Sequence, residues 1–157
     1  MTTIREVEDF LALHRIAMVG VSRNPKDFSR NLFREMCDRG YDMVPVNRMA
    51  KEIESRECLP SVRAATTPVE GVLVMTPASE TLAVVQECAD AGIQNVWLYR
   101  AGGEGAVSPE AIAFCKGKGI RVVEGHCPFM FFRGTSFPHR AHGFFLKLTR
   151  RYPRAAA

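Results

Sequence analysis

Apolar residues enter this chain in short runs, at residues 16–19, 41–46, 69–75, 95–99 and 120–123. The stretches between them carry a helical period instead. Leu32, Phe33, Met36 and Cys37 share one face of a helix that starts near Ser29, with Asp27 or Ser29 as cap and Gly40 as stop. Leu82, Val85, Cys88 and Ala89 form the stripe of a second helix, which Thr76-Pro77 opens and Gly92 ends. Ile112 and Cys115 mark a third, from Ser108-Pro109-Glu110 to Gly117 or Gly119. Ile4, Val7, Phe10 and Leu11 predict a short helix ahead of the first strand. Five strands alternating with helices predict an α/β fold, a Rossmann-like three-layer sandwich around a five-stranded parallel sheet. Pro45 lies within the second run and lacks an N–H for the ladder, so that strand belongs at an edge.

Three stretches depart from the alternation. Residues 47–67 are polar, with one short helix expected near 59–64. Residues 124–138, EGHCPFMFFRGTSFP, read as an aromatic loop. Residues 139–152 have the apolar spacing of a terminal amphipathic helix through Phe144, Phe145, Leu146 and Leu148, with Gly143 in its middle.

At 157 residues, 46% apolar and 24% charged, the chain fits one domain with its own core. The net charge of +4 is concentrated at the end, since residues 1–132 hold 15 basic and 17 acidic side chains while Arg133 onward holds six basic and no acidic ones. The expected organisation is therefore one domain over 1–157 with a basic extension at 133–157. That extension solvates a terminal helix or meets an acidic partner, and a domain-wide nucleic-acid surface is not indicated. Five cysteines without a Cys-x-x-Cys spacing read as reduced and mainly structural. No apolar run reaches membrane-spanning length and the first residues lack a secretory pattern, so a cytoplasmic location is expected.

The candidate chemistry lies where strands meet helices. The run IAMVGVSRNPKDFSR passes from strand through Gly20 and a polar turn into a helix, the arrangement that offers backbone N–H groups and the hydroxyls of Ser22 and Ser29 to phosphate oxygens. A tight turn with a helix cap explains the same residues without a ligand. The three-glycine dinucleotide fingerprint is absent. After the second strand stands Asn47-Arg48, where an NAD site needs a carboxylate for the ribose. An arginine there suits a phosphorylated ribose, as in NADP or the 3′-phosphoadenosine of coenzyme A, or is a solvated turn residue. Cys127 beside His126 is the sharpest candidate for reactivity, but adjacent residues on extended backbone diverge, and packing or ligand lining is the preferred reading. His139 and His142, three apart, lack a further metal ligand and read as packing residues, so no metal site and no catalytic residue is assigned.

Together IAMVGVSRNP, the helix ending in RGY, VPVN, PVEGVLVMTPASE, GIQNVWLY and GIRVVEGHCP resemble the small stand-alone CoA-binding proteins over about residues 14–132. These are similar to the CoA-binding domain of the succinyl-CoA synthetase alpha chain. The resemblance implies that Gly20, Val21, Ser22, Arg23 and the amides before Ser29 face the CoA phosphates. It implies that Asn47 and Arg48 meet the adenosine, and that Thr76 and Pro77 line the adenine or pantetheine path. Residues 97–100 and the glycine loop after them, with Gly102, Gly103 and Gly105 between Tyr99 and Val107, would border the site. Many relatives have proline where this chain has Arg48. The synthetase's phosphohistidine and second-subunit machinery has no counterpart, so the implied function is non-catalytic binding of coenzyme A or acyl-CoA as a small-molecule ligand, with a homodimer compatible. Two other readings are an NADP-binding reductase-like protein and a scaffold acting through the basic tail.

Overall fold

The computed structural model describes residues 2–132. The terminal helix expected at 139–152, His139, His142 and the basic segment from Arg133 lie outside the described residues. The elements are α1 (Ile4–Leu11), β1 (Arg15–Val19), α2 (Phe28–Asp38), β2 (Asp42–Val46), β3 (Glu52–Ile53), β4 (Arg56–Glu57), β5 (Gly71–Val74), α3 (Ala78–Asp90), β6 (Asn95–Leu98), α4 (Pro109–Gly117) and β7 (Arg121–Glu124). Single 3-10 turns occupy Val62–Ala64 and Pro128–Met130.

The predicted five-stranded sheet is present, in the order β2-β1-β5-β6-β7 with every neighbouring pair parallel. β2 is an edge strand, as Pro45 requires. The strands read as unbroken apolar runs because both faces are covered. Ala17, Val19, Val72, Val74, Val96 and Leu98 pack with residues of α3 and α4, while Ile16, Met18, Leu73 and Trp97 pack with those of α1 and α2. Period-two alternation along each strand sends neighbouring side chains into separate cores.

Helix starts follow local chemistry. Thr3 and Glu6 form a reciprocal capping box on α1, Asp27 caps α2, and Ser108 with Pro109 starts α4. α3 begins one residue later than the sequence predicts, with Pro77 rather than Thr76 as its N-cap. The hydroxyl of Thr76 is thereby left out of the capping. A second difference lies in the polar stretch 47–67, where β3 and β4 form a small antiparallel hairpin ahead of the expected short helix. Among the described residues no helix is long and apolar enough to cross a membrane.

Candidate functional site

The sheet changes winding direction at one place. The connection from β1 leads outward to the β2 edge, and the next strand, β5, lies on the other side of β1. In open α/β sheets the crevice at the carboxyl ends of two such strands is the usual ligand position. Here it is bounded by Gly20, immediately after β1, and Thr76, shortly after β5.

These two residues are in close contact. Gly20 has φ +86°, and a Cβ placed on it would lie 2.8 Å from the Thr76 backbone nitrogen and 2.9 Å from Thr76 Cγ2. Glycine is thus required twice, by the left-handed conformation and by the close approach. The hydroxyl oxygen of Thr76 is buried and has no hydrogen-bond partner among the described residues. A buried, unpaired hydroxyl is unfavourable by about 1–3 kcal/mol unless something meets it.

The ladder hydrogen bonds continue up to this edge and hold the exits in register. Gly20 N donates to Val46 O at 3.1 Å, Met75 N to Val19 O at 2.8 Å, Tyr99 N to Val74 O at 3.0 Å and Gly125 N to Leu98 O at 2.9 Å. The loop from Gly20 to Asp27 is then clamped from behind. Asn47 Nδ2 donates to Val21 O at 2.9 Å, Arg30 Nη1 donates to Ser22 O and Arg23 O at 3.2 Å each, and Arg34 Nη2 donates to Pro25 O at 2.9 Å. Glu54, in the β3–β4 turn, binds both arginines, at 2.5 Å from Arg30 and 2.7 Å from Arg34. The hydrogen bond from Arg30 is the largest cause holding the Glu54 carboxyl below its usual range. Sequence reasoning missed Arg30, Arg34 and Glu54, because the hairpin that carries Glu54 was not visible in the pattern.

The predicted site residues divide by what their polar atoms are doing. Ser29 Oγ accepts from Ser22 N at 2.9 Å and donates to Asp27 Oδ1 at 2.7 Å, so its hydroxyl is committed to shaping the turn. Asp27 also accepts from Ser29 N, which puts a carboxylate at the start of α2. Ser22 Oγ accepts from Asn24 N at 3.1 Å and keeps its proton to donate. Arg23 is exposed beside it. Asn47 is braced by its bonds to Val21 and from Met49 N. Arg48 is 76% exposed, 3.7 Å from Glu87 Oε1, beyond hydrogen-bond length. The pair with Glu87 is a loose, solvent-exposed ion pair, which an anion at this edge would have to compete with.

At the far end of the edge, Tyr99 and Cys127 share a side-chain hydrogen bond. Cys127 is buried, and burial pushes its thiol up to about 11 despite the hydrogen bonds from the Phe129 backbone and Tyr99 that lower it. A thiol that stays protonated is a poor nucleophile. Burial, and next the neighbouring Cys127, likewise raise the Tyr99 hydroxyl. The turn that places Cys127 there uses left-handed backbone at both Gly125 and His126, with φ +78° and +64°. Trp97 Nε1 holds it, donating to Gly125 O at 2.8 Å and His126 O at 3.3 Å.

A cleft of about 570 Å³ lies elsewhere, lined by Leu11, Leu13, His14, Tyr41 and Phe132 among others. It borders the residues that lead into β1 and β2, at the amino ends of the strands. The carboxyl edge has the glycine approach, the unpaired hydroxyl and the exposed side chains of Arg23 and Arg48, and is the better candidate on chemistry.

Residues 14–133 match the family described as CoA binding domain. The chain belongs to that family. The CoA-binding family match covers all five strands of the main sheet and the whole carboxyl edge. An uncharacterized protein of Bacillus subtilis (strain 168), YneT, is 28% identical over 113 residues, which is 72% of this chain and 81% of that one. Among solved structures, a hypothetical protein from Pyrococcus horikoshii OT3 superposes with a TM-score of 0.74 at 25% identity, covering 82% of this chain and 87% of the other. The apo dinucleotide forming acetyl-coenzyme A synthetase 1 of Ca. Korarchaeum cryptofilum shares the fold, with a TM-score of 0.64 and 23% identity over 74% of this chain and 27% of that one. The family supports a CoA-related small-molecule ligand.

Proposed function

We infer that this chain binds coenzyme A or an acyl-CoA at the carboxyl edge of its sheet and does so without catalysing a reaction on it. The observation that carries the reading is the Thr76 hydroxyl, buried and unpartnered against Gly20 at the β1/β5 crossover of a CoA-binding-family chain. In this reading the backbone at Gly20 and Val21, the Ser22 hydroxyl and the Arg23 side chain meet the diphosphate. Asn47 and Arg48 meet the phosphorylated adenosine, and Thr76 and Pro77 line the path between. Ser29 acts one step back, by holding the Ser22 amide. Because Asp27 already occupies the α2 cap, the cations at positions 23 and 48 carry more of the phosphate attraction than the helix end does. The non-catalytic role rests on chemistry: Cys127 is held protonated and Tyr99 neutral at ordinary pH. The single-domain organisation with a basic extension at 133–157, the cytoplasmic setting and a homodimer belong to the same proposal.

The test is calorimetric titration of the full, reduced chain with CoA, dephospho-CoA, NADP and NAD. CoA should saturate one site and bind more tightly than NADP or NAD. Arg48→Gln should weaken CoA about tenfold and dephospho-CoA much less, as expected for loss of a charge-assisted contact. Tighter binding of NADP than of CoA would replace this reading with the reductase-like one. Equal losses for CoA and dephospho-CoA would remove the 3′-phosphate from Arg48.

A further inference from the structure

The proposed ligand lies across the sheet with its ends at different strands. With the adenosine at the β2 edge and the phosphates at β1, the pantetheine arm has only β5, β6 and β7 left to follow. The β6 exit is two strand spacings from β1, about 10 Å, which an extended arm spans. The residues there are Tyr99 and Arg100 after β6, and Gly125 to Cys127 after β7.

Arg100 stands out among them. Its backbone is pinned, since Arg100 N donates to His126 O at 3.3 Å and Ala106 N closes the glycine loop onto Tyr99 O at 2.8 Å. Gly105 allows that closure, because a Cβ there would lie 2.5 Å from Tyr99 O and 3.0 Å from Arg100 Cα. The guanidinium lies over Gly125, where a Cβ would come within 3.4 Å of both Nε and Nη2. Yet the side chain is exposed, and among the described residues no carboxylate pairs with it. Of the nearby carboxylates, Glu124, next to Gly125, pairs with Lys116 at 3.1 Å, and Glu104 is exposed in the glycine loop. Tyr99 and Cys127, the groups that line the exit beside it, are neutral at ordinary pH, while His126 packs edge-on against Phe131. The thiol end of the site therefore presents the exposed guanidinium of Arg100, which among the described residues has no carboxylate within ion-pair distance.

We propose that Arg100 selects the acyl group, and that the preferred ligand is a CoA thioester whose acyl chain ends in a carboxylate. The inference rests on the CoA reading above. A guanidinium offers a planar fork to a carboxylate, whereas a neutral acyl chain of equal length leaves it in water.

The experiment titrates the full chain with CoA and with two matched pairs of thioesters, malonyl-CoA against propionyl-CoA and glutaryl-CoA against valeryl-CoA. Each pair has equal carbon number and differs in the terminal carboxylate. At least one carboxylate-bearing member should bind about tenfold more tightly than its neutral partner. In Arg100→Gln that ratio should fall to near one, and in Arg100→Lys it should be partly kept. Ratios near one in the unaltered chain, with CoA itself binding, would overturn the proposal and leave the CoA reading intact. Equal losses for CoA and all four thioesters in Arg100→Gln would overturn it by making Arg100 a contact to the common part of the ligand. Failure of every ligand, CoA included, would remove the underlying reading and this inference with it.

Discussion

Gly20 and Thr76 meet because two strand exits are held in register, and the meeting leaves no room for a side chain at position 20. Gly20→Ala must place a Cβ within 3 Å of backbone in a left-handed conformation. The expected result is a loss of at least about 2 kcal/mol of stability together with loss of CoA binding, read from denaturant unfolding and calorimetry on the same preparation. Glu54 tests the brace behind the loop. Its carboxyl is held low mainly by the hydrogen bond from Arg30, so its folded value lies below the ordinary 4.5. A depressed carboxyl contributes stability that is fully present above the unfolded value and lost as pH falls through the folded one. Unfolding curves from about pH 7 down to about pH 3 should show Glu54→Gln less stable than the parent at the upper end, with the difference closing on acidification. A constant difference across that range would assign Glu54 no part in the acid sensitivity.

Elements differ in how legible they are in the sequence. The five main strands and the helices between them could be read because each has either an unbroken apolar run or a 3.6-residue stripe, and Pro45 marked the edge strand. The β3–β4 hairpin could not. Its strands are two residues each, and its turn puts Glu54 and Ser55 at φ +50° and +57° without the Asn-Gly or Asp-Gly pair that usually announces such a turn. With the hairpin hidden, the Arg30–Glu54–Arg34 clamp was hidden too, since its partners stand 20 and 24 residues apart in sequence. The first turn reads from sequence as a candidate site, but its internal bonding does not, because which hydroxyl is committed depends on the Asp27 cap. The β7 exit is another such case. Trp97 reads from sequence as a strand residue bordering the site, but its side chain is fully buried in the core, and its N–H holds the left-handed turn that buries Cys127. Trp97→Phe leaves those carbonyls without that donor, at about 1–3 kcal/mol. The thiol of Cys127, raised to about 11 in the intact fold, should then alkylate faster at pH 8, measured by mass spectrometry of the labelled peptide. An unchanged rate would mean that the turn holds itself.

For the molecule as a whole, topology decides where a ligand is looked for. The sheet presents two ends, and the open cleft near Tyr41 and Phe132 is at the amino one. The carboxyl end has less visible hollow but more specific chemistry, a crossover between β1 and β5 with a glycine, an orphaned hydroxyl and exposed arginines. Membership of the CoA-binding family indicates the kind of ligand, and this edge is the proposed seat for it. The most direct measurement is a map of amide chemical-shift changes as CoA is added to the isotope-labelled chain. The account predicts that the largest changes fall on residues 20–23, 47–48 and 76, extending to 99 and 100. Changes concentrated on residues 11–14 and 39–41 would put the ligand in the opposite cleft and contradict it.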